Sequence, residues 1–107
     1  MGKYELKFMY DWGSGVCVWG VNAAAKAKFS HYPIETKDLP ISQELINLLN
    51  KLIAQYDTAL NWDEPGSELL WDKMQQVIFE EEAKSAYEQL CVELGPDYEV
   101  SFFPRVF

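Results

Sequence analysis

The sequence predicts an α+β fold in which helices cover one face of a small β-sheet. Three features predict it: an alternating apolar segment near the start of the chain, two segments with helical apolar spacing in its middle, and a second alternating segment near its end. Alternation is the period of a strand with one buried face, whereas apolar steps of three and four residues are typical of an amphipathic helix. We therefore expect a two-layer sandwich of order β-β-(α)-α-α-β, whose hairpin and C-terminal strand share a small antiparallel or mixed sheet.

The first strand is predicted by apolar side chains at alternate positions: Tyr4, Leu6, Phe8 and Tyr10. Residues 11–15 read DWGSG, and their glycines permit the positive φ that a tight reversal requires. The segment from Val16 to Val21 is almost wholly apolar and predicts the second strand of a hairpin. Trp12 stands out in this turn of small residues, and it either folds back on the core or serves as a binding anchor.

The next part of the chain predicts a short helix and then an irregular segment. Residues 22–29 are rich in good helix formers. Prolines follow Tyr32 and Leu39, and each removes a backbone donor and favours an extended predecessor. We therefore expect an ordered loop over residues 30–41.

The clearest helix is predicted to start after Ser42, whose side chain is a good N-cap. Its apolar positions recur at helical spacing and lie on one side: Leu45, Leu48, Leu49, Leu52, Ile53, Tyr56, Ala59 and Leu60. The sequence NWDEPG at 61–66 then gives a turn signal.

A second helical pattern runs from Ser67 and Glu68 to Leu94, with Gly95-Pro96 as its stop. At about 100° per residue, two apolar groups fall on nearly opposite sides of this helix. The groups are Leu70, Trp71, Met74, Val77 and Ile78 on one side, and Phe79, Ala83, Ala86, Tyr87, Leu90 and Leu94 on the other. Either the helix breaks near 79–82, the alternative we favour, or its first half presents an apolar stripe to a partner or a second copy.

The final strand is predicted over Asp97 to Phe103, where Tyr98, Val100 and Phe102 share one face, and Pro104 ends it or marks a sheet edge. The edge at which this strand joins the hairpin stays open. A chain of 107 residues makes one domain, 1–107, with room for one core.

Charge and composition exclude several classes of function. The net charge is −8, and residues 41–107 carry thirteen acids against three Lys and one Arg. Such acidity argues against direct binding of nucleic acid or an anionic membrane and favours a basic protein partner. With no signal or membrane segment expected, and with Cys17 and Cys91 both in apolar patterns, we expect a cytoplasmic protein with reduced thiols.

The residues do not assemble a known catalytic or metal motif. His31 is the single histidine and is predicted to be solvated in a loop, so no His-based metal cluster can form. The WGSG turn lacks the glycines of a nucleophile elbow and the lysine of a phosphate loop. We expect no catalytic residue, metal or cofactor, although an enzyme stays an open alternative.

An acidic segment with interleaved aromatic residues is the strongest functional signal. Between Asp57 and Glu82 there are eight acids and one lysine, with Trp62, Trp71, Met74 and Ile78 among them. In size, charge and this segment the chain resembles the small acidic immunity proteins and antitoxins of bacteria, which neutralise basic nuclease toxins. The resemblance implies a stoichiometric inhibitor without turnover. The predicted partner-binding residues are Asp57, Trp62, Asp63, Glu64, Glu68, Trp71, Asp72, Glu80 and Glu81.

Two alternatives remain open from the sequence. The first is a small ligand-binding or hydrolytic domain with a cleft lined by Trp19, Tyr56 and Tyr87. The second is a structural homodimer joined through Leu70, Met74, Val77 and Ile78.

Overall fold

The computed structural model describes residues 3–30 and 32–103. Over these ranges the elements are, in chain order, β1 (Tyr4–Phe8), β2 (Val18–Gly20), α1 (Ala23–Phe29), β3 (Pro33–Ile34), a 3-10 turn (Thr36–Asp38), α2 (Gln43–Asp57), α3 (Lys73–Leu94) and β4 (Tyr98–Phe102). The predicted α+β sandwich is confirmed. The predictions for His31 and Pro104 fall outside the described residues.

The strands form one mixed sheet of order β3-β2-β1-β4. The predicted hairpin is present, with Phe8 opposite Val18 in an antiparallel pair. The last strand joins the outer side of β1 and runs parallel to it, with Leu6 opposite Val100. The sequence did not predict which strand the last one joins, and the structure shows that it joins β1. The helices between β1 and β4 supply the crossover connection that a parallel pair requires.

The strand β2 is shorter than the predicted 16–21 and covers Val18–Gly20. Just before it, the Met9 N–H donates to the Cys17 carbonyl at 2.9 Å. The Ser14 hydroxyl donates to the Asp11 carbonyl at 2.8 Å and accepts from the Val16 N–H at 3.3 Å, so the Val16 N–H belongs to the turn.

The two faces of the sheet differ in character. The register places Phe8, Val18 and Ile34 side by side, and all three are buried under the helices. Their neighbours Lys7 and Trp19 point to the opposite, outer face, as the alternation of a strand requires. Trp19 is nevertheless buried there, and its indole N–H donates to the Met9 carbonyl at 2.9 Å.

The segment from 22 to 41 contains more regular structure than predicted. The short helix is confirmed as α1, with the Asn22 side chain accepting from the Ala25 N–H at 2.9 Å. The prediction of an ordered loop over 30–41 is wrong in part, because Pro33–Ile34 adds a two-residue edge strand to β2. Proline is compatible with this place since an edge strand leaves one side of its backbone unpaired.

The helix α2 begins as predicted, and the Ser42 hydroxyl accepts from the Leu45 N–H at 3.1 Å. It ends at Asp57 rather than Leu60. Its buried positions, Leu45, Leu49, Leu52, Ile53 and Tyr56, form one core with the inner face of the sheet.

The helix α3 corrects two predictions. It starts at Lys73 rather than at Ser67 or Glu68, because Asp72 accepts from the Gln75 N–H at 2.8 Å and Gln75 bonds back to the Asp72 N–H at 2.9 Å. This reciprocal capping box fixes the first turn. The favoured break near 79–82 is also wrong, since one helix runs unbroken to Leu94. Its core-facing residues are Phe79, Ala83, Ala86, Leu90 and Leu94, whereas Met74, Val77 and Ile78 of the earlier apolar group are exposed.

Candidate partner-binding surface

The candidate surface is the α2–α3 junction, by which we mean the last turn of α2, the connecting segment 58–72 and α3 as far as Glu82. The connecting segment is a closed loop, because the Leu70 N–H donates to the Ala59 carbonyl at 2.8 Å. Inside it, the Asn61 side-chain oxygen accepts from the N–H groups of Asp63 and Glu64 at 3.1 and 3.3 Å. These bonds hold an irregular segment in a defined shape and bring its acidic residues beside the helix ends.

Two tryptophans cap the C-terminus of α2. The indole N–H of Trp12 donates to the Tyr56 carbonyl at 2.9 Å, and the indole N–H of Trp62 donates to the Asp57 carbonyl at 2.8 Å. The last carbonyls of a helix lack the usual intrahelical partner, and the Trp62 bond satisfies the Asp57 carbonyl in this way. The Tyr56 carbonyl accepts from Trp12 in addition to the Ala59 N–H at 3.1 Å. The Asp57 carboxylate in turn accepts from the Gly13 N–H at 3.0 Å. The hairpin turn is thereby bound to the junction.

An aromatic cluster supports the junction from inside. Trp12 stacks on Tyr56 with ring centroids 4.8 Å apart and planes 7° apart, and Tyr56 stacks on Phe79 at 5.6 Å. Trp71 contacts the same Phe79 at 5.2 Å. The turn, α2, the loop and α3 therefore share one continuous set of ring contacts. Trp12 is half-buried and packs against this core.

The outward side of α3 carries the apolar stripe. Met74 is 67% exposed and Ile78 is 49% exposed, with Val77 beside them and Leu70 in the preceding loop also exposed. Trp71, which the sequence grouped with these residues, is half-buried and packs against the core. Trp62 is 54% exposed at the loop, even though its indole N–H is bonded. The junction therefore exposes several large apolar side chains to solvent.

The predicted acidic residues fall into two groups. Asp63, Glu64 and Glu68 are exposed on the loop. The Asp57 carboxylate accepts a hydrogen bond from the Gly13 N–H, and the Asp72 carboxylate accepts one from the Gln75 N–H. Both carboxylates therefore stabilise the fold.

The glutamates of α3 do not share one side. Residues two apart on a helix are rotated by about 200°, so Glu80 and Glu82 flank the core-facing Phe79 on opposite sides. Glu82 faces α2 and lines a groove there. Glu80 shares its flank with Tyr87, whose hydroxyl bonds the Val100 carbonyl of β4 at 3.0 Å. Glu80 is therefore placed away from the α2 side of the junction, and exposed Glu81 lies between the two flanks.

A groove of about 270 Å³ lies between the end of α2 and the start of α3. It is lined by Gln55, Thr58, Trp71, Gln75, Ile78, Phe79 and Glu82. Sequence reasoning missed Gln55, Thr58, Gln75 and Glu82. The spacing of Gln75, Phe79 and Glu82 at steps of four and three could have identified one shared side of α3, but their approach to α2 depends on tertiary packing.

The aromatic cleft of the first alternative is not formed by the residues predicted for it. Trp19 lies on the outer face of the sheet, whereas Tyr56 is buried in the core on the inner face. Tyr87 stacks on Phe102 at 4.8 Å, beside β4. Alternation along β2 turns the Trp19 indole away from the helical layer, so these three side chains cannot line one cleft.

Within the described residues, no group of three or more His, Cys, Asp or Glu side chains is arranged to hold a metal ion. The helices of this part of the chain are also too short or too polar to span a bilayer. Both cysteines are free thiols, Cys17 buried and Cys91 half-buried.

Comparison with known families gives one match that covers almost the whole chain. The model of a family described as Serratia CdiI immunity protein-like matches residues 4–105. A search of curated proteins finds no match. The matched range includes the hairpin, the junction and β4, so the similarity extends over the complete fold and not only over the acidic segment.

Proposed function

Because this chain belongs to the Serratia CdiI immunity protein-like family, we propose that it is a non-enzymatic, stoichiometric inhibitor that binds its toxin through the α2–α3 junction. The family itself indicates a toxin-inhibitor role. The finer proposal is that the partner is a basic, nuclease-type toxin and that the two proteins meet in the cytoplasm. Binding blocks the toxin and needs no catalytic group on this chain.

The observation that carries the proposal is the combination of exposed apolar and acidic side chains at one place. Met74 and Trp62 are more than half exposed, and the exposed acids Asp63, Glu64 and Glu68 lie between them in the sequence. Large apolar side chains become binding anchors when a partner removes water from them, whereas rim charges mainly accelerate encounter. We therefore assign retention of the toxin to the apolar stripe and its capture to the acids.

Charge reversal with a matched control tests this proposal. The variant Asp63→Lys/Glu64→Lys/Glu68→Lys changes three exposed loop acids and leaves the Asp57 bond to Gly13 and the Asp72 helix cap intact. The control Glu88→Lys/Asp97→Lys/Glu99→Lys makes the same change in net charge at exposed positions elsewhere. Both are measured for association with the toxin that the chain inhibits.

We expect the loop variant to associate roughly tenfold or more slowly than the control at low salt, with the gap closing as salt screens the charges. Equal association rates for the two variants would refute a docking role for the acidic loop.

A homodimer through the same stripe is the second candidate, because Leu70, Met74, Val77 and Ile78 are all exposed. Light scattering distinguishes the two uses. If the protein forms a dimer at high concentration and Met74→Asp abolishes that dimer, the homodimer is supported. If the protein is a monomer at high concentration, the homodimer is excluded.

A further inference from the structure

The groove between α2 and α3 is lined by side chains of two chemical kinds. Trp71, Ile78 and Phe79 supply aromatic and aliphatic surface. Polar side chains are interleaved with them, namely Gln55 and Thr58 on the α2 side and Gln75 and Glu82 on α3. Glu82 is the single charged group among the lining residues, and an ionised carboxylate only accepts hydrogen bonds. The groove therefore fits an occupant that is flat or apolar on one side and donates hydrogen bonds from a positive charge on the other.

We propose that this groove binds one arginine side chain presented by the toxin, with the guanidinium paired to the Glu82 carboxylate and lying against the Trp71 ring. A guanidinium is planar, stacks on aromatic faces and offers its donors in a fork that matches a carboxylate. The amide oxygen of Gln55 is a further acceptor for the remaining N–H groups, and the Gln75 oxygen, which accepts the Asp72 N–H in the capping box, keeps one lone pair for another. This inference rests on the proposed function, because it supposes a basic protein partner.

The size of the groove favours a single side chain over a free small molecule. Its volume of about 270 Å³ lies just below the range of roughly 300 to 1,000 Å³ that is usual for small-molecule sites. An apolar side chain from a partner would fit the Trp71 ring but would leave the Glu82 carboxylate desolvated and unpaired, which is costly. A lysine ammonium is a compact, strongly hydrated charge that gains less from a flat aromatic wall.

The described part of the chain supplies no cation to Glu82. Within residues 3–30 and 32–103 the ion pair formed is that between Lys37 and Glu35, at the 3-10 turn after β3. Tyr10 contacts the Phe79 ring of the groove at 5.1 Å, and its hydroxyl is buried without a hydrogen-bond partner in the described structure. Burial above all raises the pKa of Tyr10 well above its usual range, so this phenol is neutral and is not an alternative anion for a cation. The negative charge of Glu82 is therefore available to a partner.

Titration with a minimal probe tests the groove without any toxin. The probe is Nα-acetyl-arginine methylamide, and its citrulline counterpart keeps the shape while losing the charge. Binding is followed by nuclear magnetic resonance at the indole N–H of Trp71 and the side-chain amides of Gln55 and Gln75. The variants are Glu82→Gln, which is nearly isosteric, and Glu80→Gln, which removes the same charge on the opposite flank of α3.

We expect saturable shifts at these reporters with arginine, and roughly tenfold weaker binding for citrulline and for Glu82→Gln, while Glu80→Gln binds as the native protein does. A lysine probe is expected to bind more weakly than arginine. The proposal is overturned if no saturable shift occurs, if citrulline binds equally, or if Glu80→Gln weakens binding as much as Glu82→Gln.

Binding of the toxin to the same samples separates this inference from the proposed function. If the arginine probe fails while the toxin still binds the junction, the groove proposal alone is refuted. If the arginine probe saturates the groove but the toxin does not bind, the groove's preference for arginine is supported, whereas the toxin as the source of that arginine and the proposed function are both contradicted.

Discussion

The indole N–H of Trp12 donates to the Tyr56 carbonyl at 2.9 Å while the two rings stack with planes 7° apart. The Trp12 side chain of the hairpin turn thus bonds to the last turn of α2 and covers the ring of Tyr56. The same helix end receives the indole N–H of Trp62 at the Asp57 carbonyl. The position of the turn and the position of the acidic loop are therefore set by one helix terminus.

Two substitutions of Trp12 separate the contribution of its hydrogen bond from that of its ring stacking. Trp12→Phe keeps a ring against Tyr56 but loses the hydrogen bond, and we expect a loss of roughly 1 to 2 kcal/mol in the free energy of unfolding. Urea denaturation measures it. Trp12→Ala also loses the stacked ring and is expected to cost more. Equal stability of Trp12→Phe and the native protein would show that the bond to Tyr56 contributes nothing.

We expect alanine substitutions at the two turn glycines, Gly13 and Gly15, to lower the stability of the fold. Gly13 has φ of +79°, and an added Cβ would lie 3.4 Å from the Trp62 ring, whereas Gly15 has φ of +74° with open space around it. We expect Gly15→Ala to lose about 1 to 2 kcal/mol of unfolding free energy from φ alone, and Gly13→Ala to lose more. Gly66 has neither a positive φ nor a close neighbour, so Gly66→Ala serves as the control and is expected to be neutral or slightly stabilising.

The two thiols are expected to react at very different rates. Burial raises the pKa of Cys17 to about 12, and its side chain is fully covered in the core. The thiolate is the reactive form, so a disulfide reagent near neutral pH should label half-buried Cys91 first and Cys17 only when the fold opens. Cys91→Ser should remove the fast phase. Rapid labelling of both cysteines in the native protein would contradict the observed packing.

Acid stability depends on the bond between the two main helices at their far ends. The Ser42 backbone N–H donates to Glu93 at 2.6 Å and its hydroxyl donates at 3.0 Å, and these bonds lower the pKa of Glu93 below its usual 4.5. A lowered folded pKa stabilises the fold above the unfolded value and loses that contribution as pH falls through the folded value.

The difference in unfolding free energy between native protein and Glu93→Gln should therefore shrink between about pH 6 and about pH 3. Urea denaturation at several pH values measures this difference. Glu88→Gln, at an exposed position of the same helix, is the control. A difference for Glu93→Gln that does not change with pH would mean that its carboxylate is not held by Ser42.

Local patterns predicted the elements better than their contacts. Ser42 and the leucines after it predict α2 because capping and apolar spacing are properties of neighbouring residues. The pairing of Leu6 with Val100 could not be predicted, because it joins segments separated by most of the chain. The sequence separated two apolar groups along this segment but placed Trp71 with the exposed one, although it packs against the core. A local pattern does not show whether a second apolar side is buried, so it could not distinguish a broken helix from the unbroken α3 with an exposed stripe.

The candidate surface was predictable in composition and not in geometry. The density of acids and tryptophans between Asp57 and Glu82 indicated the region. Asp72 acts as a helix cap because α3 starts at the next residue. Glu80 points away from α2 because of its position around the helix axis. The groove at Glu82 requires knowledge of how α2 packs on α3, which no local pattern contains.

The most direct test of the account is hydroxyl-radical footprinting of the chain alone and in complex with its toxin partner. Trp62 and Met74 are 54% and 67% exposed at the junction, and Tyr32, 44% exposed on another part of the surface, is the reference. We expect oxidation of Trp62 and Met74 to fall roughly fivefold or more in the complex while Tyr32 is unchanged, because docking there removes water from both side chains. Undiminished oxidation of Trp62 and Met74 in a complex that protects Tyr32 would place the toxin elsewhere and contradict the account.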